Sequence, residues 1–416
     1  MFQIRLQVFS CFRKKEGASV DIALLGNGTV AKGVIAQIEI LKKSDKALFS
    51  IRHILLKPDE SDPNPIFTST IETILADPTI KIVVEAMGGQ HPAFEYVKAA
   101  LLSKKHVVTS NKELVSVYGA QLAKVANENE VAFFFSAAVG GGIPLLVYLR
   151  DTAQQENIDE ISGILNGTTN FILDAMTRKN LNFQDALKQA QVFGYAEADP
   201  TNDVQGFDLA FKLRIAACVA FGQWIEIESI SRLPLHNVTP IDIEFFRQRQ
   251  MTLRYLVYAR KGDDGKLVAS IQPTALSDHR IEAQVLRNNN LFLCNSQRSG
   301  EHILIGQGAG ASVTAANIYR DLRRILNGER QLLTGNETSI NAGNGDLKIR
   351  YYLRMSELAA QEFPLQEIME TFPIDKSVLM ITHRMHIHDL IELVARLRSF
   401  DPYVFAVAIQ ESKEGE

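Results

Sequence analysis

Val20-Asp21-Ile22-Ala23-Leu24-Leu25-Gly26-Asn27-Gly28-Thr29-Val30-Ala31-Lys32-Gly33 is the stretch on which the fold turns. Its first six residues read as a strand, and residues 30–43 read as a helix. Gly26 and Gly28 sit at the joint, and the third glycine, Gly33, comes two residues later than in a plain Gly-x-Gly-x-x-Gly. A joint of this kind lets a pyrophosphate approach the backbone and meet the amides of a helix N-terminus. A glycine turn alone is weak evidence, so the continuation of the chain decides its meaning.

That continuation alternates apolar runs with helical patterns. A second strand is expected near 48–53, a helix at 71–76, a strand at 82–84 and a helix at 92–103. Strand 106–109, helix 112–129 and strand 131–135 follow. Alternation of this type predicts a parallel sheet covered on both faces, the doubly wound α/β fold of a dinucleotide-binding domain. Arg52, His53 and Lys57 lie about 25 residues past the glycines, where an acid often holds the ribose hydroxyls of NAD. Cations there suit a 2′-phosphate and slightly favour NADP over NAD.

The chain has 416 residues, with 44 Lys+Arg against 48 Asp+Glu and a net charge of -4. Near-neutral charge excludes a domain-wide basic face for nucleic acid, and the 46% hydrophobic content excludes disorder. At about 150 residues per domain, two or three domains are expected. Cys11, Cys218 and Cys294 are odd in number and far apart, which points to neither disulfides nor zinc but to a reducing, cytoplasmic setting. The chain has no run of about 18 apolar residues, so no membrane crossing is expected. Residues 2–8 alternate apolar with polar side chains and read as a short strand or a frayed end, not a secretory signal.

Beyond residue 160 the reading changes. A strand at 161–165 precedes a mainly helical stretch to 223. Residues 253–306 are rich in β runs and turn residues and read as an antiparallel meander suited to a subunit interface. Glycines 306, 308 and 310 open a helix at about 312–326, residues 336–346 make a linker, and 348–410 read as strands alternating with helices.

Carboxylates concentrate between 195 and 212. Glu197, Asp199, Asp203 and Asp208 precede Lys212, with Asp208 and Lys212 at i and i+4. On a solvated helix such a pair contributes only about 0.3–0.5 kcal/mol. Here the flanking residues 207–221 are apolar almost all round, which predicts a buried helix and a paired charge with a functional role. Ser110, Asn111 and Lys112 follow one strand and Asn166, Gly167, Thr168, Thr169 and Asn170 follow another, where open α/β sheets place ligands; each reads equally well as helix capping. The turn Val139-Gly140-Gly141-Gly142-Ile143-Pro144 bares carbonyls that suit a cation.

Taken in order, these segments, with Val83-Val84-Glu85, Gly88-Gly89, residues 106–112 and Gly308-Ala309-Gly310-Ala311, resemble the homoserine dehydrogenase family over residues 20–330. The final segment is similar to an ACT regulatory domain of βαββαβ type. The resemblance implies a Rossmann-type domain over 1–140 plus about 306–335, an α+β catalytic and dimerisation domain over 141–305, and the ACT-like domain over 347–416. It implies NAD(P)-dependent interconversion of L-aspartate 4-semialdehyde and L-homoserine by a homodimer or homotetramer.

By the same resemblance Asp208 and Lys212 are the catalytic pair, with Lys112 a rival proton donor, and Glu197, Asp203, Asn166, Gly167 and Thr168 bind substrate. Gly26, Asn27, Gly28, Thr29, Val30, Gly33, Gly88, Ser110, Lys112 and Gly308 face the cofactor, with Arg52 and Lys57. Backbone carbonyls of Val139, Gly141 and Ile143 are implied ligands of Na+ or K+. Elementary chemistry agrees: a substrate ammonium needs carboxylates, and a developing alkoxide needs a proton and a nearby cation.

The chain departs from the family in three places. Ser136 stands where Glu is usual before the Val-Gly-Gly turn, Ser110 replaces Ala, and Met355-Ser356-Glu357-Leu358-Ala359 replaces the Asp-x-Pro-Gly turn of effector-binding ACT domains. Two other classes compete. A silent amino-acid sensor is disfavoured by the joint presence of Glu197, Asp208, Lys112 and Lys212. A thioester-forming aldehyde dehydrogenase needs an activated cysteine, which neither Cys11 nor Cys218 suits.

Overall fold

The computed structural model describes residues 19–44, 46–57, 59–262, 265–330, 333, 339–343, 347–374 and 376–410. The expectations for residues 2–8 and Cys11 lie outside them. The chain forms two compact units: the described residues up to Gln154 with those from Gln307 to Leu333, and Gln155–Gly306 with those from Ser339 on.

In the first unit the strands β1 (Val20–Leu25), β2 (Phe49–Leu55), β3 (Phe67–Thr68), β4 (Ile82–Glu85), β5 (His106–Thr109) and β6 (Phe133–Phe134) form one sheet. Its order is β3-β2-β1-β4-β5-β6, and every pairing is parallel. The four residues of β4 and the last four of β1 are fully buried, as a sheet covered on both faces requires. Order reverses between β1 and β4, so a ligand crevice is expected beyond their carboxyl ends. The helix Ala311–Leu326 returns to this unit and crosses the helix Thr29–Lys43 so closely that a Cβ on Gly33 would lie 2.5 Å from the Ala311 carbonyl oxygen.

The second unit holds a large mixed sheet and a separate two-stranded one. Its strands are β7 (Ile158–Ile164), β8 (Trp224–Ile225), β9 (Ser231–Arg232), β10 (Met251–Lys261), β11 (Leu267–Ser277), β12 (Asn289–Ser296), β13 (Gly300–Gln307), β14 (Ser339–Ile340), β15 (Lys348–Ser356), β16 (Ile368–Ile374), β17 (Ser377–Thr382), β18 (Met385–His386) and β19 (Phe405–Ile409). The main order is β13-β12-β7-β10-β11-β19-β15-β17-β16.

Three expectations change here. Residues 253–306 are not a meander, because β7 enters between β12 and β10 and pairs antiparallel with both. The C-terminal segment has the expected β-α-β-β-α-β order with one addition, the two-residue β18 before the second helix; its helices are Glu357–Gln361 and Ile387–Leu397. It does not stand as a separate domain: β19 lies parallel to β11 through Thr274–Ala408 and Ala275–Ile409, which continues the middle sheet. Within residues 336–346, Ser339–Ile340 pairs with Trp224–Ile225, so part of the expected linker is a strand. No helix among the described residues is long and apolar enough to cross a membrane.

Candidate active site

At the β1/β4 reversal the sequence places two glycine turns side by side. Gly26 has φ +100°, and a Cβ there would approach the Ala86 oxygen to 3.0 Å, so the turn after β1 packs directly on the loop after β4. Gly28 caps the helix Thr29–Lys43 with no side-chain hydrogen bond, which leaves the first-turn amides directed outward and uncapped.

Sequence reasoning missed the group that fixes the facing loop. Glu85, fully buried at the end of β4, accepts hydrogen bonds from Met87 N (2.7 Å) and from the Thr109 hydroxyl. Asn111, whose amide reaches Glu85 at 3.5 Å, donates to Gly89 O (2.6 Å) and caps the helix Lys112–Glu128 through Leu114 N (3.1 Å). Burial raises the Glu85 carboxyl above the usual range. Its signal in the sequence was an acid ending an otherwise apolar strand. Lys112 opens the helix that Asn111 caps, and Ser110 precedes it.

Arg52 and Lys57 part company. Arg52 falls in mid-strand, its neighbours pairing with Ile22 and Ala23, and its guanidinium lies 3.8 Å from Asp77. Lys57 follows the carboxyl end of β2, the same end of the sheet as Gly26, whose amide donates to Leu55 O at 3.0 Å.

The second unit gathers the predicted carboxylates and lysine. The helix Phe207–Phe221 is buried almost all round, as its apolar run requires. It starts at Gly206 (φ +78°), where a Cβ would meet the Tyr255 hydroxyl at 2.5 Å. In its first turn Asp208 is 7% exposed, and one turn on the Lys212 ammonium donates to Asp208 Oδ2 (2.7 Å) and to the Leu165 carbonyl (2.8 Å). Asn166, at the end of the strand region before the helix Gly167–Lys179, gives its amide to Asp203 Oδ1 (2.6 Å) and Asp208 Oδ2 (2.8 Å). Its carbonyl caps the helix through Thr169 N at 2.9 Å. Capping and site-building are therefore one residue's work.

Burial, then the charge of Asp208, raises the Asp203 carboxyl above the ordinary range. Thr168 ties this helix to the Tyr195 carbonyl, and a Cβ on Gly167 would lie 2.7 Å from Asn288 O. Glu197 is exposed on the segment that precedes Asp203, and among the described residues no hydrogen bond links it to the cluster. Asn170 serves structure instead: its amide binds the carbonyls of Val285, Arg287 and Asn289. Burial pushes the Cys218 thiol up to about 12, away from the thiolate that a thioester mechanism needs.

The cation expectation needs correction. In the first unit the Asn317 amide donates to the carbonyls of both Gly141 and Ile143 (3.1 Å to the latter), two of the three implied ligands. Arg320 donates to Asn317 Oδ1 (2.7 Å) and Gly142 O (3.1 Å). Ser136 donates its amide (2.8 Å) and hydroxyl (2.7 Å) to Asp321, whose carboxyl burial raises to about 6. A resident Na+ or K+ does not fit carbonyls already converging on an amide nitrogen.

Comparisons with known proteins give the family. Residues 26–136 match the family described as homoserine dehydrogenase, NAD binding domain, and residues 144–322 match homoserine dehydrogenase. The chain is 35% identical over 329 residues to a homoserine dehydrogenase of Bacillus subtilis, covering 76% of this chain and 75% of that one. A crystal structure of a homoserine dehydrogenase from Thiobacillus denitrificans superposes with a TM-score of 0.82 at 27% identity, covering 95% of this chain and 99% of that one. A hyperthermophilic archaeal homoserine dehydrogenase mutant in complex with NADPH gives 0.61 at 25% identity, covering 74% and 97%.

Proposed function

The chain belongs to the homoserine dehydrogenase family of NAD(P)-dependent oxidoreductases, and from that premise we propose how its residues divide the reversible reduction of L-aspartate 4-semialdehyde to L-homoserine. The observation that carries the assignment is the half-buried ammonium of Lys212, held at once by Asp208 and the Leu165 carbonyl. A lysine ammonium has three N–H donors. Two are committed within the chain, and the third donates to the carbonyl oxygen as it becomes an alkoxide, then releases the proton to it. Asp208 fixes the direction of that donor. A bound nicotinamide supplies the hydride.

Asp203 and Glu197 receive the substrate ammonium. Asn166 holds Asp203 and Asp208 at fixed spacing, and Gly167 and Thr168 set the helix start on which Asn166 depends. Of the two candidate donors, Lys212 and Lys112, the proton is assigned to Lys212.

For the cofactor, the pyrophosphate meets residues 26–30 with Gly33 permitting the close helix approach, and Gly88, Ser110, Lys112 and Gly308 complete the set. Glu85 acts as a positioning residue behind the 87–89 loop. Lys57, at the carboxyl end of β2, contacts a 2′-phosphate, whereas Arg52 does not. We also propose a homodimer or homotetramer formed through residues 253–306, with β13, an edge strand bearing the exposed Ile305, at its margin. A cytoplasmic setting accompanies this reading. The C-terminal β-α-β-β-α-β segment serves assembly rather than effector binding, since its last strand is built into the middle sheet.

Initial rates with aspartate semialdehyde test the cofactor assignment. Lys57→Ala is expected to raise KM for NADPH about tenfold, equivalent to about 1.4 kcal/mol, and leave KM for NADH unchanged, while Arg52→Ala alters neither. Equal effects on both coenzymes would remove Lys57 from the phosphate site.

A further inference from the structure

The turn at residues 139–143 has a side-chain donor on two of the three carbonyls implied as cation ligands. A cation shared by the Gly141 and Ile143 carbonyls has to sit where the two oxygens converge. The Asn317 side-chain nitrogen already lies there, within 3.1 Å of the Ile143 oxygen and closer to that of Gly141. The orientation of this amide is not arbitrary. Arg320 is a donor only, so the atom it meets at 2.7 Å is the amide oxygen, and the nitrogen faces the carbonyls. The same guanidinium donates to Gly142 O, bringing a permanent positive charge to the turn.

Nor is the turn free to rearrange. Gly141 has φ +56°, and a Cβ there would fall 2.3 Å from the Gly308 oxygen, so backbone packs directly on backbone. Gly142 N donates to Gln307 O at 3.1 Å. On the preceding residues, Ser136 binds Asp321, which in turn accepts from Arg324 at 3.1 Å. Asn317, Arg320, Asp321 and Arg324 all belong to the helix Ala311–Leu326. One helix thus supplies both the donors that fill the turn's carbonyls and the carboxylate that anchors Ser136.

We propose that in this chain the Asn317 amide, pinned by Arg320, occupies the position of a monovalent cation at the 139–143 turn, so that neither stability nor turnover depends on Na+ or K+. The turnover arm rests on the dehydrogenase reading; the stability arm does not, so the two fail separately.

The test compares the full-length protein in NaCl, KCl and tetramethylammonium chloride at equal ionic strength, where general screening is the same. The wild type is expected to show one melting temperature, one kcat and one KM in all three salts, since screening is the same in each. A saturable rise in melting temperature or rate with Na+ or K+, absent with tetramethylammonium, overturns the proposal. Asn317→Ser uncovers the carbonyls without changing the backbone. It is expected to melt lower in tetramethylammonium and to recover saturably with K+ or Na+, as ligand linkage dictates. An Asn317→Ser protein that loses stability and gains no cation response also overturns it. Should that variant not fold, the wild-type comparison decides alone.

Discussion

Asn166 and Asn317 are both nearly fully buried, and each divides its amide between two oxygens drawn from distant parts of the chain. Their surroundings differ in charge. Asn166 joins two carboxylates, Asp203 and Asp208, against one ammonium from Lys212, which leaves a negative surplus. Asn317 joins two neutral carbonyls, and the charge brought to it is the guanidinium of Arg320. A negative surplus held at fixed spacing welcomes a substrate ammonium; a filled neutral cradle beside a cation refuses one. The same hydrogen-bonding group therefore prepares one site for a ligand and closes another, and what decides is the net charge left after the amide has been satisfied.

The largest effect that would break this contrast lies in the two cations. Lys212→Ala is expected to lower kcat by about 10² or more, the scale of a lost acid/base group, with circular dichroism showing the protein still folded. Arg320→Ala, measured in parallel, should leave kcat near wild type. If the two variants behave alike in turnover, the charges at the two asparagines do not play different parts.

Next in size is Asn166→Ala. Two buried carboxylates lose their shared donor, a penalty of about 1–3 kcal/mol, which should appear as a fall of roughly 10- to 100-fold in kcat/KM. Its diagnostic is the pH profile. The Asp203 carboxyl already lies above its ordinary value through burial and the charge of Asp208, and the Asn166 hydrogen bond opposes that rise. Removing the bond should move the acid limb of kcat/KM to higher pH. A fall in rate with the limb unmoved would make Asn166 a structural cap only.

The reach of the sequence follows the same division. Residues 20–135 were legible because the central strands β1 and β4 are largely buried on both faces and the joints at Gly26–Gly28 and Asn111 carry their own glycines or cap, all local in the chain; the half-buried two-residue β3 was not. Asp208, Lys212 and their burial were legible because an ion pair stood at i and i+4 inside an apolar helix. The entry of β7 between β12 and β10 was not legible, since alternation of apolar residues says nothing about which strand pairs with which. Neither was Asn317: it acts on Ile143 from 174 positions away, and an asparagine within an amphipathic helix carries no local mark of its partners. Glu85 lay between these cases, visible as a misplaced acid but with its donors unknown.

The smallest expected effect concerns the carboxylate behind the Asn317 turn. Burial raises Asp321 to about 6 from 3.8, despite the two Ser136 donors and Arg324 that oppose the rise. Because the folded-state value exceeds the unfolded one, this group's contribution to stability is fully present below about 4 and is lost as pH rises through about 6. Between pH 7 and pH 5 the wild type should therefore gain about 1 kcal/mol from this carboxyl alone, a shift of about 2–4 °C in melting temperature for units of this size. Asp321→Asn keeps the shape, loses the titration, and should lack that increment when the two pH values are compared variant against wild type. An identical pH response in both proteins would mean that Asp321 is charged at every pH tested, held so by Arg324. The turn would then keep the same single surplus positive charge at both pH values, from Arg320 and Arg324 against Asp321, and pH would not alter its contrast with the Asn166 cluster.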